Sequence, residues 1–144
     1  MTLHLLKLCV GAESVDDHRT WIEMRLARQR EAGLPAEHTH TTRMVPRRAD
    51  EIVGKGSLYW VTRGRVQSRQ RVIDIRPFTD AQGIGRCEIV LDPELVLTVP
   101  QPRRPFQGWR YLRPEDAPAD LGRASGMQEM PASMRAELAE LGLL

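Results

Sequence analysis

Between Arg43 and Arg76 stand nine basic side chains: Arg43, Arg47, Arg48, Lys55, Arg63, Arg65, Arg69, Arg71 and Arg76. Only three acids, Asp50, Glu51 and Asp74, share that stretch, so it carries +6 where the whole 144-residue chain carries +2. Cations gathered in one segment make a field suited to an anionic partner, of which nucleic acid is the commonest. Arg65, Gln67, Arg69 and Arg71 alternate with Val66, Ser68, Gln70 and Val72. On a regular strand those arginines share a face, with successive same-face positions about 7 Å apart, near the spacing of backbone phosphates. The plain alternative is a solvated sheet face paired with acids elsewhere in the chain.

A second cluster combines cations and aromatics: Arg103-Arg104-Pro105-Phe106-Gln107-Gly108-Trp109-Arg110. As a recognition loop it offers guanidinium–phosphate contacts plus stacking on Phe106 and Trp109. As a structural strap, the same aromatics would plug the end of a barrel. Tyr59 and Trp60 must face opposite sides of their strand. The larger apolar area of Trp60 assigns it to the core and leaves Tyr59 at the rim. An exposed aromatic beside arginines could stack a base, worth about 1–3 kcal/mol; ordinary packing of both rings is the competing reading. The candidate anion-binding set is therefore Arg43, Arg47, Tyr59, Arg63, Arg65, Arg69, Arg71, Arg103, Arg104, Phe106, Trp109 and Arg110.

Other chemistry finds less support. His38 and His40 could share one strand face, and Cys9 and Cys87 could supplement them as metal ligands. Their spacing lacks the compactness of a structural zinc site, so no metal and no cofactor is expected. No serine sits in a Gly-x-Ser-x-Gly elbow, and Gly83-Ile84-Gly85 is too short and turn-like for a phosphate loop. The expectation is a binding protein rather than an enzyme.

These residues need elements to hold them. Leu3 to Val10 is apolar on both alternating sets, which predicts a strand buried on both faces and central in a sheet. Ser14 and Asp17 begin a capping-box-like helix start, and Val15, His18, Ile22 and Leu26 then recur at helical spacing over 14–32. A short strand is expected at 39–45 and a short helix at 47–53. Further strands are expected at 57–63, 65–76, 86–91 and 95–99. Gly64 reads as a bulge or tight bend, and the broken alternation at Val72–Ile73 requires a bulge. Five prolines stiffen 100–118. A last helix is expected over 131–141, inside a tail from Pro114 that is net −4.

At this length, residues 1–121 are expected to form one α+β domain, with 122–144 as an acidic helical tail. No apolar run approaches the roughly 20 residues that span a bilayer. The first ten residues lack the basic region of a secretory signal, so the expected location is the cytoplasm. Cys9 and Cys87 are then expected to be reduced and buried.

Three stretches carry a resemblance. Leu3 to Gly11, Gly56 to Gly64 and Pro102 to Leu112 resemble a family of uncharacterised alphaproteobacterial proteins known only as a domain of unknown function. That likeness implies no activity. Pro46 to Ile75, with its short helix, its Gly-x-Leu-Tyr-Trp-Val strand and its basic strand after glycine, resembles the PUA and ASCH class of small β-barrels. Their likeness implies a curved, mostly antiparallel sheet or partial barrel, and RNA or modified bases as ligands. The leading expectation is an RNA or single-stranded nucleic-acid binding module. The alternatives are a small enzyme acting on a nucleotide or other anionic small molecule, and a regulatory protein contacting an acidic partner. The first predicts strong salt dependence, the second a deep pocket with a buried carboxylate or histidine.

Overall fold

The computed structural model describes residues 2–121, so the helix expected at 131–141 and the acidic tail beyond Leu121 lie outside the described residues. Seven strands and one α-helix follow in the order β1 (His4–Leu8), α1 (Val15–Glu31), β2 (His38–Thr42), β3 (Ser57–Thr62), β4 (Arg65–Thr79), β5 (Gly85–Leu91), β6 (Val96–Pro102) and β7 (Trp109–Leu112). The strands form an open sheet in the order β2-β5-β4-β3-β1-β7, with β6 also paired to β4. All pairs are antiparallel except β1 with β3. Among the described residues no helix is long and apolar enough to cross a membrane.

β1 lies between β3 and β7, as its two-faced hydrophobicity requires, and Leu3, Leu5 and Leu6 are all buried. One core forms on the α1 side, where Ile22 and Leu26 of the helix meet Leu5, Leu58, Trp60, Val72, Ile89 and Leu91. A smaller one forms on the opposite face from Leu6, Tyr59, Val61, Val66 and Leu112, with Phe106 packed against it. α1 starts where its cap predicts: Ser14 Oγ accepts from the Asp17 N–H at 3.1 Å. The short helix expected at 47–53 shrinks to a single 3-10 turn, Ala49–Glu51, but it still delivers Ile52 fully buried to the core.

Gly64 belongs to a hairpin turn, not to a bulge within one strand. Arg63 (φ 52°) and Gly64 (φ 78°) are both left-handed, the pattern of a two-residue I′ turn joining β3 to β4. Two bulges then shape β4. Ser68 lies opposite Trp60 while Val66 lies opposite Val61, which leaves Gln67 as the extra residue. Val72 lies opposite Leu91 and Asp74 opposite Val90, so Ile73 is the second. That second bulge was legible in the broken alternation, but its apolar pair is not: Ile73 is half exposed, and only Ile75 packs on the core. The proline-rich segment is more regular than a stiff connection, since β6 runs to Pro102 and β7 follows.

Candidate nucleic-acid interface

The arginine ladder does not hold together. A strand alternates faces only while its pairing is regular, and the bulge at Gln67 interrupts it between Arg65 and Arg69. Val66 consequently joins the core beneath Tyr59 and Val61, and Arg65 pairs with Thr62 on the Trp60 side of the sheet. Arg69 and Arg71 stay on the Tyr59 side, where both are engaged. Arg69 forms a two-pronged bond to Asp120, Nε to Oδ1 at 2.8 Å and Nη2 to Oδ2 at 2.7 Å, and donates to Ser57 Oγ at 2.9 Å. Asp120 is carried there by the chain after β7, which bridges to β6 at Thr98. This pairing raises the Arg69 pKa, chiefly through the hydrogen bond to Asp120. Arg71 donates to the Gly54 carbonyl at 2.9 Å. The paired-face alternative therefore holds for Arg69.

Tyr59 is no stacking platform either. It is buried, stands edge-on to His4 at 5.1 Å, and burial raises its pKa. Trp60 is buried as expected. Trp109 and Phe106 part company, Trp109 standing on β7 and Phe106 in the connection before it. Trp109 turns toward the α1-side core and donates from Nε1 to the Met44 carbonyl at 2.8 Å. Phe106 packs on the other core, with the Arg110 guanidinium 4.7 Å above its ring. Arg43 and Arg47 are exposed in the connection after β2, which Trp109 and Tyr111 touch at Met44 and Arg48, but neither arginine lines the groove described next.

What the structure does bring together is the strap end. Arg103, Arg104, Phe106 and Arg110 line a groove of about 780 Å³ whose floor includes Leu6 and Leu112, with Asp116 also in its lining. The hairpin tip joins it, because the Arg103 N–H donates to the Gly64 carbonyl at 2.8 Å, next to exposed Arg63. Arg103 is braced by Gln101 Oε1 at 3.1–3.2 Å, and Gln101 in turn by the Asp116 carbonyl at 3.1 Å. Among the described residues Arg63, Arg103, Arg104 and Arg110 form no ion pair, whereas Arg48, Arg69, Arg76, Arg86 and Arg113 each meet a carboxylate. On β4, Arg69 and Arg76 thus meet carboxylates, while among the described residues the strap arginines meet none. The floor residues Leu6 and Leu112 are absent from the sequence-derived set. They meet here only because β7 pairs with β1, with Leu6 opposite Arg110, a long-range pairing that no local pattern announces.

Among the described residues, a mostly antiparallel open sheet carrying one α-helix, with a basic groove at one end, defines the class. Within it, a family model matches residues 5–144, and the chain belongs to the DUF1489 family of proteins of unknown function. No curated protein and no solved structure matches the chain.

Proposed function

We propose that this protein binds RNA or another single-stranded nucleic acid in the strap groove. The reading rests on one observation: Arg103, Arg104 and Arg110 line a concave surface and form no ion pair among the described residues. Arg63, Arg103 and Arg104 would take phosphates, for which guanidinium geometry is suited. Arg110, held over the Phe106 ring, would offer its guanidinium to a base, since guanidinium planes stack bases as aromatic rings do. Asp116 in the lining would disfavour indiscriminate polyanion binding. The likeness of Pro46 to Ile75 to PUA and ASCH barrels supports the same ligand class, although the sheet here is open where those barrels close. A uridine oligonucleotide titrated into isotopically labelled protein should shift backbone signals from Arg103 to Tyr111 and at Gly64. Signals of Arg69 and Arg71 should stay in place. Shifts confined to β4, or none anywhere, would reject the strap as the interface.

A further inference from the structure

Three histidines from two elements gather beside two tryptophans on the α1 side of the sheet. His18 comes from the buried stripe of α1, and His38 and His40 from one face of β2. The rings of His18 and His40 each stand edge-on to Trp60, centroids 5.1 Å apart and planes at 88°. His38 meets Trp21 at 6.0 Å. Trp60 is fixed in place, because its Nε1 donates to Gln70 Oε1 at 2.9 Å and Gln70 Nε2 donates to the Asp92 carbonyl at 2.9 Å. Together with residues 7–12 at the end of β1, these side chains line an open pocket of about 250 Å³.

The cavity wants a ligand for a definite reason. His18 Nδ1, His38 Nδ1 and His40 Nε2 are buried without a hydrogen-bond partner. An unmade hydrogen bond of this kind costs about 1–3 kcal/mol, and native proteins rarely leave several such atoms in one place. A neutral imidazole can present either a donor or an acceptor at the orphaned nitrogen, so the cluster adapts to what it meets. The other lining groups narrow the choice. Lys7 is the one ionic side chain in the lining, and no Asp or Glu is among the lining residues. The thiol of Cys9 is held protonated by burial and supplies no counter-charge. Among the described residues no group of three or more His, Cys, Asp or Glu is placed to hold a metal ion. Trp21, Trp60, Leu8 and Val10 make the remaining wall apolar. The volume lies just below the roughly 300–1,000 Å³ of drug-sized sites, which suits a molecule of about one ring.

We propose that this cavity binds a small planar carboxylate, its oxygens held by Lys7 and the imidazoles of His18, His38 and His40 and its flat body flanked by Trp21 and Trp60. The site is separate from the strap groove and does not depend on nucleic-acid binding. Benzoate serves as the probe, with neutral benzamide of the same shape as its control and uracil as a neutral heteroaromatic. Titrated into the full-length chain, benzoate should saturably shift the imidazole ¹⁵N signals of all three histidines. Benzamide and uracil should bind at least about tenfold more weakly, and Lys7→Met should lower benzoate affinity about tenfold while leaving benzamide unchanged. Should Lys7→Met fail to fold, His40→Gln read for benzoate affinity takes its place, with a similar loss expected. Histidine signals unmoved by benzoate, or benzamide or uracil binding as well as benzoate, would overturn the proposal.

Discussion

Acidification from pH 7 to pH 5 should destabilise this fold through its buried histidines. Burial holds His18, His38 and His40 at about 4 against an ordinary 6.5, with Lys7 and Arg25 adding positive charge around His40 and Arg25 around His38. His4 on the opposite face is also lowered, by burial and then by Arg69. A folded-state pKa below the unfolded one means that the unfolded chain binds the proton first. The stability is therefore complete above about 6.5 and is lost as pH falls toward about 4. For one such imidazole the loss between pH 7 and pH 5 is about 2 kcal/mol, and for three about 5 kcal/mol. That is as large as the whole stability of many domains, about 5–15 kcal/mol. Asp80 and Glu51, whose carboxyls are held below their usual values by Arg86 and Arg48, respond only at lower pH and leave this window to the histidines. Urea midpoints followed by circular dichroism at pH 7, 6 and 5 measure the loss. Near pH 5 the slope should approach about 4 kcal/mol per pH unit, and His40→Gln should remove about a third of it. A midpoint that stays level from pH 7 to 5, or a slope unchanged in the His18→Asn/His40→Gln double variant, would refute the reasoning.

Three further outcomes are expected. A Cβ on Gly56 would sit 2.0 Å from the Leu3 carbonyl oxygen, which belongs to backbone and cannot swing aside. Gly56→Ala should cost about 3 kcal/mol or more, so a parent-like urea midpoint would contradict this close approach of β1 and β3. Gly64→Val forces a branched residue into the left-handed turn position and should cost more than about 1 kcal/mol, with Gly64→Asn milder; equal melting temperatures for both would remove the I′ turn. Asp120→Ala strands the partly buried Arg69 and should cost about 1–3 kcal/mol without changing RNA affinity, and a loss of affinity at constant stability would return Arg69 to the interface.

The elements were legible because their causes are local. Two-faced hydrophobicity placed β1 inside the sheet, Ser14 capped α1, and the lost alternation at Ile73 marked a bulge. Gln67 gave no such sign, since polar residues at 65, 67, 69 and 71 and smaller or apolar ones between them read as unbroken alternation. The bulge there comes from pairing with β3 and β6, whose registers both shift at that point. That one unannounced residue divided the arginine ladder. Trp109 misled as well: without β7 the segment read as a loop offering both aromatics for stacking, whereas Trp109 packs on the α1-side core. His18 sat visibly in the apolar stripe of its helix, and His38 and His40 on one strand face. Their gathering around one pocket depends on how α1 packs against β2, which neither segment encodes alone.

The salt dependence of RNA binding tests the strap most directly. Fluorescence anisotropy of a labelled single-stranded RNA, measured over a range of salt concentrations, should give a linear fall of log K with log salt. Each lost phosphate contact makes that slope shallower by about 0.7, so Arg63→Ala/Arg103→Ala/Arg104→Ala should flatten it by about 2. Alanine at Arg69 and Arg71, already bound to Asp120 and Gly54, should leave the slope as in the parent. A strap variant that binds RNA as the parent does at every salt concentration would contradict nucleic-acid binding by this groove.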